Sequence, residues 1–122
     1  RNGNPCQVSP CQQLDQANIL TSSPDFFTAE EFLQFKNLCD KTRYLRYGGD
    51  CYTYAMLAGG WVDLVVESGL YPFDYLPLVP IVEQAGGVIS DWQGNALGLD
   101  SGHQVVAAAT PKLHEAALLS LN

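Results

Sequence analysis

Apolar residues fall into short runs that are separated by turn-forming residues, and these runs alternate between strand-like and helix-like spacing. Strand-like runs cover residues 17–21, 43–47, 61–66, 88–92 and 104–109. The run over 61–66 is almost continuously apolar, which is typical of a central strand that is buried on both faces. Because helix-like segments lie between these runs, the pattern predicts an α/β fold with a parallel or mixed sheet flanked by helices.

Terminal signals predict where the helices begin and end. Thr28 and Glu31 form a capping box at the start of the first helix. Asp50 is a suitable N-cap for a second helix, which should end at the glycine pair 59–60.

The third predicted helix begins at Asp74 and ends at the glycine pair 86–87. Pro77 falls in its first turn, where a missing N–H costs little. Pro80 lies deeper and is expected to kink the helix. Residues 110–121 begin with a Thr-Pro pair and predict a last helix.

The composition excludes several classes of protein. The chain has 122 residues, 47% of them hydrophobic, which fits one globular domain over residues 1–122. Its formal net charge of -7 argues against nucleic acid as a partner, because phosphate backbones are bound by stripes of Lys and Arg. No apolar run is long enough to predict a membrane span. The four cysteines lack zinc-ligand spacing, and we interpret them as reduced thiols of a cytoplasmic protein.

Three carboxylates lie where an apolar element meets a loop. Asp50 follows Gly48 and Gly49, Glu67 follows the apolar run over 61–66, and Asp74 opens a helix. In open α/β sheets, ligands collect at such junctions. Each carboxylate could instead cap a helix or face solvent. However, two carboxylates on one short loop repel each other unless a cation or a polar ligand lies between them.

The segment from Phe73 to Gly87 resembles the second motif of the inositol-monophosphatase-like phosphatases. That motif is W-D, an apolar run and then E-A-G-G; here Phe73 replaces the Trp, and Gln84 is inserted after Glu83. Other segments are similar to the histidinol-phosphatase branch of that family, namely 2–5, 21–25, 46–52, 63–67 and 78–83. The resemblance implies the C-terminal half of a layered α/β/α/β/α sandwich.

The resemblance also implies roles for the residues at the junctions. Asp74 matches a ligand of Mg²⁺ beside the substrate phosphate. Glu67 matches a residue that binds the alcohol moiety of the leaving group. Gly48, Gly49 and Asp50 match a segment that lines the substrate pocket.

The implied activity is Mg²⁺-dependent hydrolysis of a small phosphate monoester. Asp50 favours histidinol phosphate, because a carboxylate suits a ligand with ammonium and imidazole groups. An inositol phosphatase, or a phosphatase of another small metabolite, is the alternative. A non-catalytic α/β binding or assembly module is an alternative of another class.

Two acidic segments of the family, G-E-E and D-P-(I/L)-D-G-T, do not occur in this chain. The family takes most of its metal ligands from them. We therefore expect no catalytic residue here, weak metal binding by the chain alone, and partners that include the missing N-terminal half and a second copy in a homodimer. Because the chain begins with Arg1 rather than Met, we expect it to be processed, excised or clipped.

Overall fold

The computed structural model describes all residues, 1–122, and contains five strands and five α-helices. The strands are β1 (Asn18–Thr21), β2 (Tyr44–Tyr47), β3 (Leu64–Glu67), β4 (Val88–Ser90) and β5 (Val105–Ala108). The helices are α1 (Ala29–Cys39), α2 (Cys51–Ala58), α3 (Pro72–Tyr75), α4 (Val79–Gln84) and α5 (Pro111–Leu121). Short 3₁₀ turns cover Leu14–Gln16, Pro24–Phe26 and Leu76–Leu78.

The strands form one mixed sheet in the order β2-β1-β3-β5-β4. β1 is parallel to both β2 and β3, whereas β5 is antiparallel to β3 and β4. The predicted α/β fold with a mixed sheet flanked by helices is therefore confirmed. Since β1 and β3 are parallel, they end at the same edge of the sheet, and β5 begins at that edge.

Each face of the sheet has its own apolar core, because alternate strand residues point to opposite faces. Leu64 and Val66 of β3 belong to the core that is covered by α1 and α5. Val65 belongs to the core on the other face, which is covered by α2, α3 and α4. Glu67 is two residues beyond Val65, so its side chain points towards α2.

The first and last helices begin as predicted. Thr28 Oγ1 accepts the N–H of Glu31, and the Glu31 carboxylate accepts the N–H of Thr28. Thr110 Oγ1 likewise accepts the N–H of Leu113 at the start of α5. These side chains satisfy N–H groups that a helix leaves without partners at its first turn.

The predicted strand over 61–66 was wrong at its start, since β3 begins at Leu64. Trp61 belongs to the turn that closes α2, where its N–H donates to the carbonyl of Met56, and its side chain is exposed.

The helix predicted from Asp74 was also wrong at its start. It begins at Pro72 and is interrupted by the 3₁₀ turn. Pro80 lies in the first turn of α4, where it costs no helical hydrogen bond.

His114 is packed inside the fold rather than exposed. Its Nε2 lies 2.7 Å from the hydroxyl of Ser90, and that hydroxyl donates to the carbonyl oxygen of Asp91. Ser90 and His114 thus form a buried hydrogen bond between β4 and α5. No helix of the fold is long and apolar enough to span a bilayer.

Candidate active site

A pocket of about 480 Å³ lies where β1 and β3 end and α2 begins. Asp50, Glu67 and Asp74 all line it, so the structure brings the three predicted carboxylates together. None of its lining residues is Lys, Arg or His. The pocket therefore has a strongly negative interior that suits a cation or a cationic ligand.

Glu67 is the buried carboxylate of this pocket. Its side chain accepts hydrogen bonds from the backbone N–H of Ser22 at 3.1 Å and from the Ser22 hydroxyl. Its other oxygen accepts the hydroxyl of Tyr54 at 2.8 Å. A buried charge is tolerated only when it has such donors, so Ser22 and Tyr54 hold Glu67 in one orientation.

Tyr54 acts as a fixed hydrogen-bond donor. Burial raises the pKa of its hydroxyl well above the usual value, and the negative charges of Glu67 and Asp74 raise it further. The hydroxyl therefore keeps its proton. Sequence reasoning missed both donors of Glu67, although Ser22 follows β1 at the edge where the rule for ligand sites in α/β sheets would place it.

Asp74 lies in the first turn of α3 with an exposed side chain. Its Oδ2 accepts the backbone N–H of Tyr71 at 2.9 Å. Its Oδ1 makes no hydrogen bond with the chain and is free for a ligand. The carboxylate is thus held by one oxygen and open at the other.

Asp50 is positioned by an unusual backbone rather than by a capping bond. Asp50 occupies the N-cap position of α2, as predicted, but its φ of 45° lies in the left-handed region and its side chain makes no capping hydrogen bond. Gly48 and Gly49 precede it at φ values of 99° and 111°, where other residues are strained. This turn leaves the Asp50 carboxylate exposed at the rim of the pocket.

Gly48 and Gly49 line a neighbouring groove of about 720 Å³ rather than the acidic pocket. This groove also contains Arg43 and Arg46 and has no carboxylate among its lining residues. The predicted binding segment therefore separates two sites of different charge.

The residues of the acidic pocket do not make a complete magnesium site. Mg²⁺ requires near-octahedral oxygen coordination, usually by one or two carboxylates together with waters and substrate phosphate. The fold contains no group of three or more His, Cys, Asp or Glu side chains that could hold a metal ion. Asp74 offers one free carboxylate oxygen, so this chain fits a contributing ligand rather than a whole coordination shell.

The sequence model of the inositol monophosphatase family matches residues 1–121. The chain belongs to this family. Its members are metal-dependent phosphatases. The predicted membership of this family is thereby confirmed.

Individual relatives agree with this assignment. The chain is 42% identical to the chloroplastic bifunctional phosphatase IMPL2 of Arabidopsis thaliana, over 98% of this chain and 37% of the relative. It is 31% identical to a histidinol-phosphatase of Chlorobaculum parvum, over 88% of this chain and 41% of the relative. A solved structure of an inositol monophosphatase from Zymomonas mobilis superposes with a TM-score of 0.95 at 42% identity, over 98% of this chain and 47% of that one.

The matches cover the C-terminal part of the relatives. The chain thus spans less than half the length of these three proteins.

Proposed function

We propose that the whole protein to which this chain contributes hydrolyses a small phosphate monoester, with histidinol phosphate as its preferred substrate. The observation that carries the proposal is the acidic pocket, which is lined by three carboxylates and by no basic side chain. A cationic alcohol such as histidinol would be attracted to this pocket, whereas an uncharged polyol would gain nothing from its charge. The identity to the histidinol-phosphatase of Chlorobaculum parvum supports the same choice.

Each carboxylate has a proposed part. Glu67 is held by its two protein donors and is oriented to accept a hydrogen bond from the alcohol moiety of the substrate. Asp50, exposed at the rim, would face the cationic end of the ligand. Gly48 and Gly49 line the neighbouring groove, so their part would be to form the turn that holds Asp50 at the rim.

We propose Asp74 as a ligand of Mg²⁺ through its free Oδ1. When bound, such an ion would polarise the phosphoryl group and lower the pKa of an attacking water. The remaining ligands would come from a further segment of the whole protein. By itself this chain should bind Mg²⁺ weakly and hydrolyse no phosphate ester, because one free carboxylate oxygen cannot replace a coordination shell.

An inositol phosphate is the second candidate substrate. The likeness to the Zymomonas mobilis inositol monophosphatase favours it, since that structure resembles this chain in both sequence and backbone over 98% of the chain. A non-catalytic binding or assembly module is the candidate of another class. The module would keep the pocket but show no turnover in any context.

A substrate panel on the whole protein separates these candidates. We expect the largest kcat/KM for histidinol phosphate, a smaller value for inositol phosphate and a smaller one still for p-nitrophenyl phosphate. An Asp50→Asn change should lower kcat/KM for histidinol phosphate about tenfold, which corresponds to ~1.4 kcal/mol, and leave p-nitrophenyl phosphate almost unchanged. Asparagine has almost the same shape and size as aspartate, so the change removes the charge with little other alteration.

Asp100→Asn is the matched control, because it removes the same formal charge from an exposed carboxylate outside the pocket. If the protein has a higher kcat/KM for inositol phosphate than for histidinol phosphate, and Asp50→Asn keeps this preference, the substrate assignment is wrong. Failure of the whole protein to hydrolyse any phosphate ester would favour the binding module.

We also propose that the protein forms a homodimer in the cytoplasm. The groove beside β2 exposes several aromatic side chains, which are Tyr44, Tyr47, Tyr52 and Trp61. Exposed apolar patches of this kind mark interaction surfaces. Sedimentation equilibrium at rising protein concentration tests the proposal, and a monomer throughout would contradict it.

A further inference from the structure

The loop between Glu67 and Asp74 joins two of the pocket carboxylates, and its backbone is bonded to a segment that lies outside the pocket. The backbone N–H of Leu70 donates to the carbonyl oxygen of His103 at 3.2 Å. Gly69 has a φ of 76°, and a side chain there would approach the carbonyl oxygen of Phe26 to 3.2 Å. The position of the loop therefore depends on the segment that precedes β5.

That segment is itself held by Glu31 of α1. Glu31 Oε1 accepts hydrogen bonds from His103 Nε2 and from Gln104 Nε2, both at 2.8 Å. Its Oε2 accepts the backbone N–H of Thr28, also at 2.8 Å. One buried carboxylate thus ties the start of α1 to the residues before β5.

Glu31 remains charged in this place although it is only 6% exposed. Burial alone would raise the pKa of Glu31, but the hydrogen bonds from Thr28, Gln104 and His103 outweigh burial and lower the pKa to about 2. The hydroxyl of Ser68 lies beside the same carboxylate and also lowers its pKa, although it makes no hydrogen bond within the chain. The loop therefore faces Glu31 directly at Ser68 and indirectly at Leu70.

We infer that Glu31, His103 and Gln104 form a latch that positions the loop between Glu67 and Asp74, and with it the Asp74 carboxylate. None of the three residues lines the acidic pocket, so they are positioning residues rather than catalytic ones. The latch matters for turnover only if the proposed function holds. Its effect on the loop is measurable without turnover.

Amide hydrogen exchange on this chain tests the latch. A Glu31→Gln change keeps the side-chain size, and its one oxygen can still accept the Thr28 N–H of the capping box. Its NH2 group then takes the place of Oε1 and cannot accept the N–H groups of His103 and Gln104. We expect the Leu70 amide to exchange about tenfold faster, while the amides of β3 and β5 stay at the wild-type rate. Glu30→Gln is the matched control, because Glu30 lies in the same helical turn, is exposed and makes no polar contact.

Conservative replacement separates the side chain of His103 from its backbone. His103→Ala removes the ring but keeps the carbonyl oxygen that accepts the Leu70 N–H, and it should also speed exchange at Leu70. His103→Gln carries an amide nitrogen that can take the place of Nε2, so exchange should return towards the wild-type rate. Unchanged exchange at Leu70 in both Glu31→Gln and His103→Ala would refute the latch. Equal acceleration in loop and strands would show that Glu31 only stabilises the fold, which would also overturn the inference.

The whole protein gives an independent readout. In Glu31→Gln, the Mg²⁺ concentration for half-maximal phosphatase activity should rise about tenfold at a temperature well below unfolding, whereas Glu30→Gln should match wild type. A wild-type Mg²⁺ requirement in an active Glu31→Gln enzyme would contradict the positioning role. If the wild-type protein hydrolyses nothing, the proposed function fails while the exchange result still decides the latch.

Discussion

The hydrogen bond from Tyr54 to Glu67 should contribute measurably to stability, and a Tyr54→Phe change isolates it. Phenylalanine keeps the ring in the apolar core beneath α2 and removes only the hydroxyl. Tyr54 is 1% exposed and Glu67 is 3% exposed, so their hydrogen bond lies at the buried end of the pocket and is shielded from bulk water. Glu67 would keep Ser22 as its donor at one oxygen and lose its partner at the other.

The size of the effect follows from the kind of bond. Hydrogen bonds to charged groups contribute about 1.5–3 kcal/mol, and a buried acceptor that loses its donor carries its full desolvation cost. We therefore expect the free energy of unfolding to fall by ~2 kcal/mol. With a urea m-value on the order of 2 kcal/mol/M, the unfolding midpoint should move down by about 1 M.

Urea titration followed by tryptophan fluorescence measures this shift, because Trp92 is buried and will report loss of the core. Tyr52→Phe is the control, since Tyr52 lies on the same helix, is 66% exposed and donates no hydrogen bond within the chain. That change should stay within about 0.5 kcal/mol of wild type. If Tyr54→Phe proves no more destabilising than Tyr52→Phe, the bond to Glu67 does not stabilise the fold and the reasoning fails.

Three further predictions concern groups outside the pocket. Burial lowers the pKa of His114 below its usual value of 6.5. The stability that its neutral ring provides is therefore fully present above pH 6.5 and is lost as the pH falls towards the folded-state pKa. Urea unfolding midpoints should fall between pH 7 and pH 5 in wild type, and less steeply in His114→Gln. A Gly87→Ala change should cost about 1–3 kcal/mol in a denaturant titration, because the new methyl would lie 2.9 Å from the Val82 side chain and 3.0 Å from the Ala108 carbonyl oxygen; a neutral result would mean that the backbone shifts freely there. Burial raises the pKa of Cys39 to about 12, so this thiol should react with a disulfide reagent far more slowly than the two exposed cysteines; equal rates would contradict its burial.

Local signals in the sequence were sufficient for most elements of the fold. The capping box at Thr28 and the Thr-Pro pair before α5 act within one helical turn, so neighbouring residues alone determine them. The boundary at Trp61 could not be predicted in the same way. An apolar residue that closes a helix has the same hydropathy as one that begins a strand, and only the hydrogen bond to Met56 distinguishes them.

The site was predictable in part, for a different reason. Asp50, Glu67 and Asp74 each follow or precede an apolar element, and the rule that ligands bind where strands end assigns all three to one region from their chain positions alone. The donors to Glu67 depend on which strands become neighbours, and Ser22 is 45 residues away in the chain. Hydropathy patterns carry no information about pairing between such distant residues.

The mixed pairing of β3 determines when the sheet can be completed during synthesis of the chain. This central strand needs β1, which is synthesised before it, and β5, which is synthesised about 40 residues after it. Sheets with such distant partners form slowly, because the intervening chain loses conformational entropy on closing before the strand contacts form. A nascent chain that has not yet emerged beyond Ala108 therefore carries Glu67 on an incomplete sheet, and we expect it to acquire ligand affinity only after β5 has left the ribosome and docked.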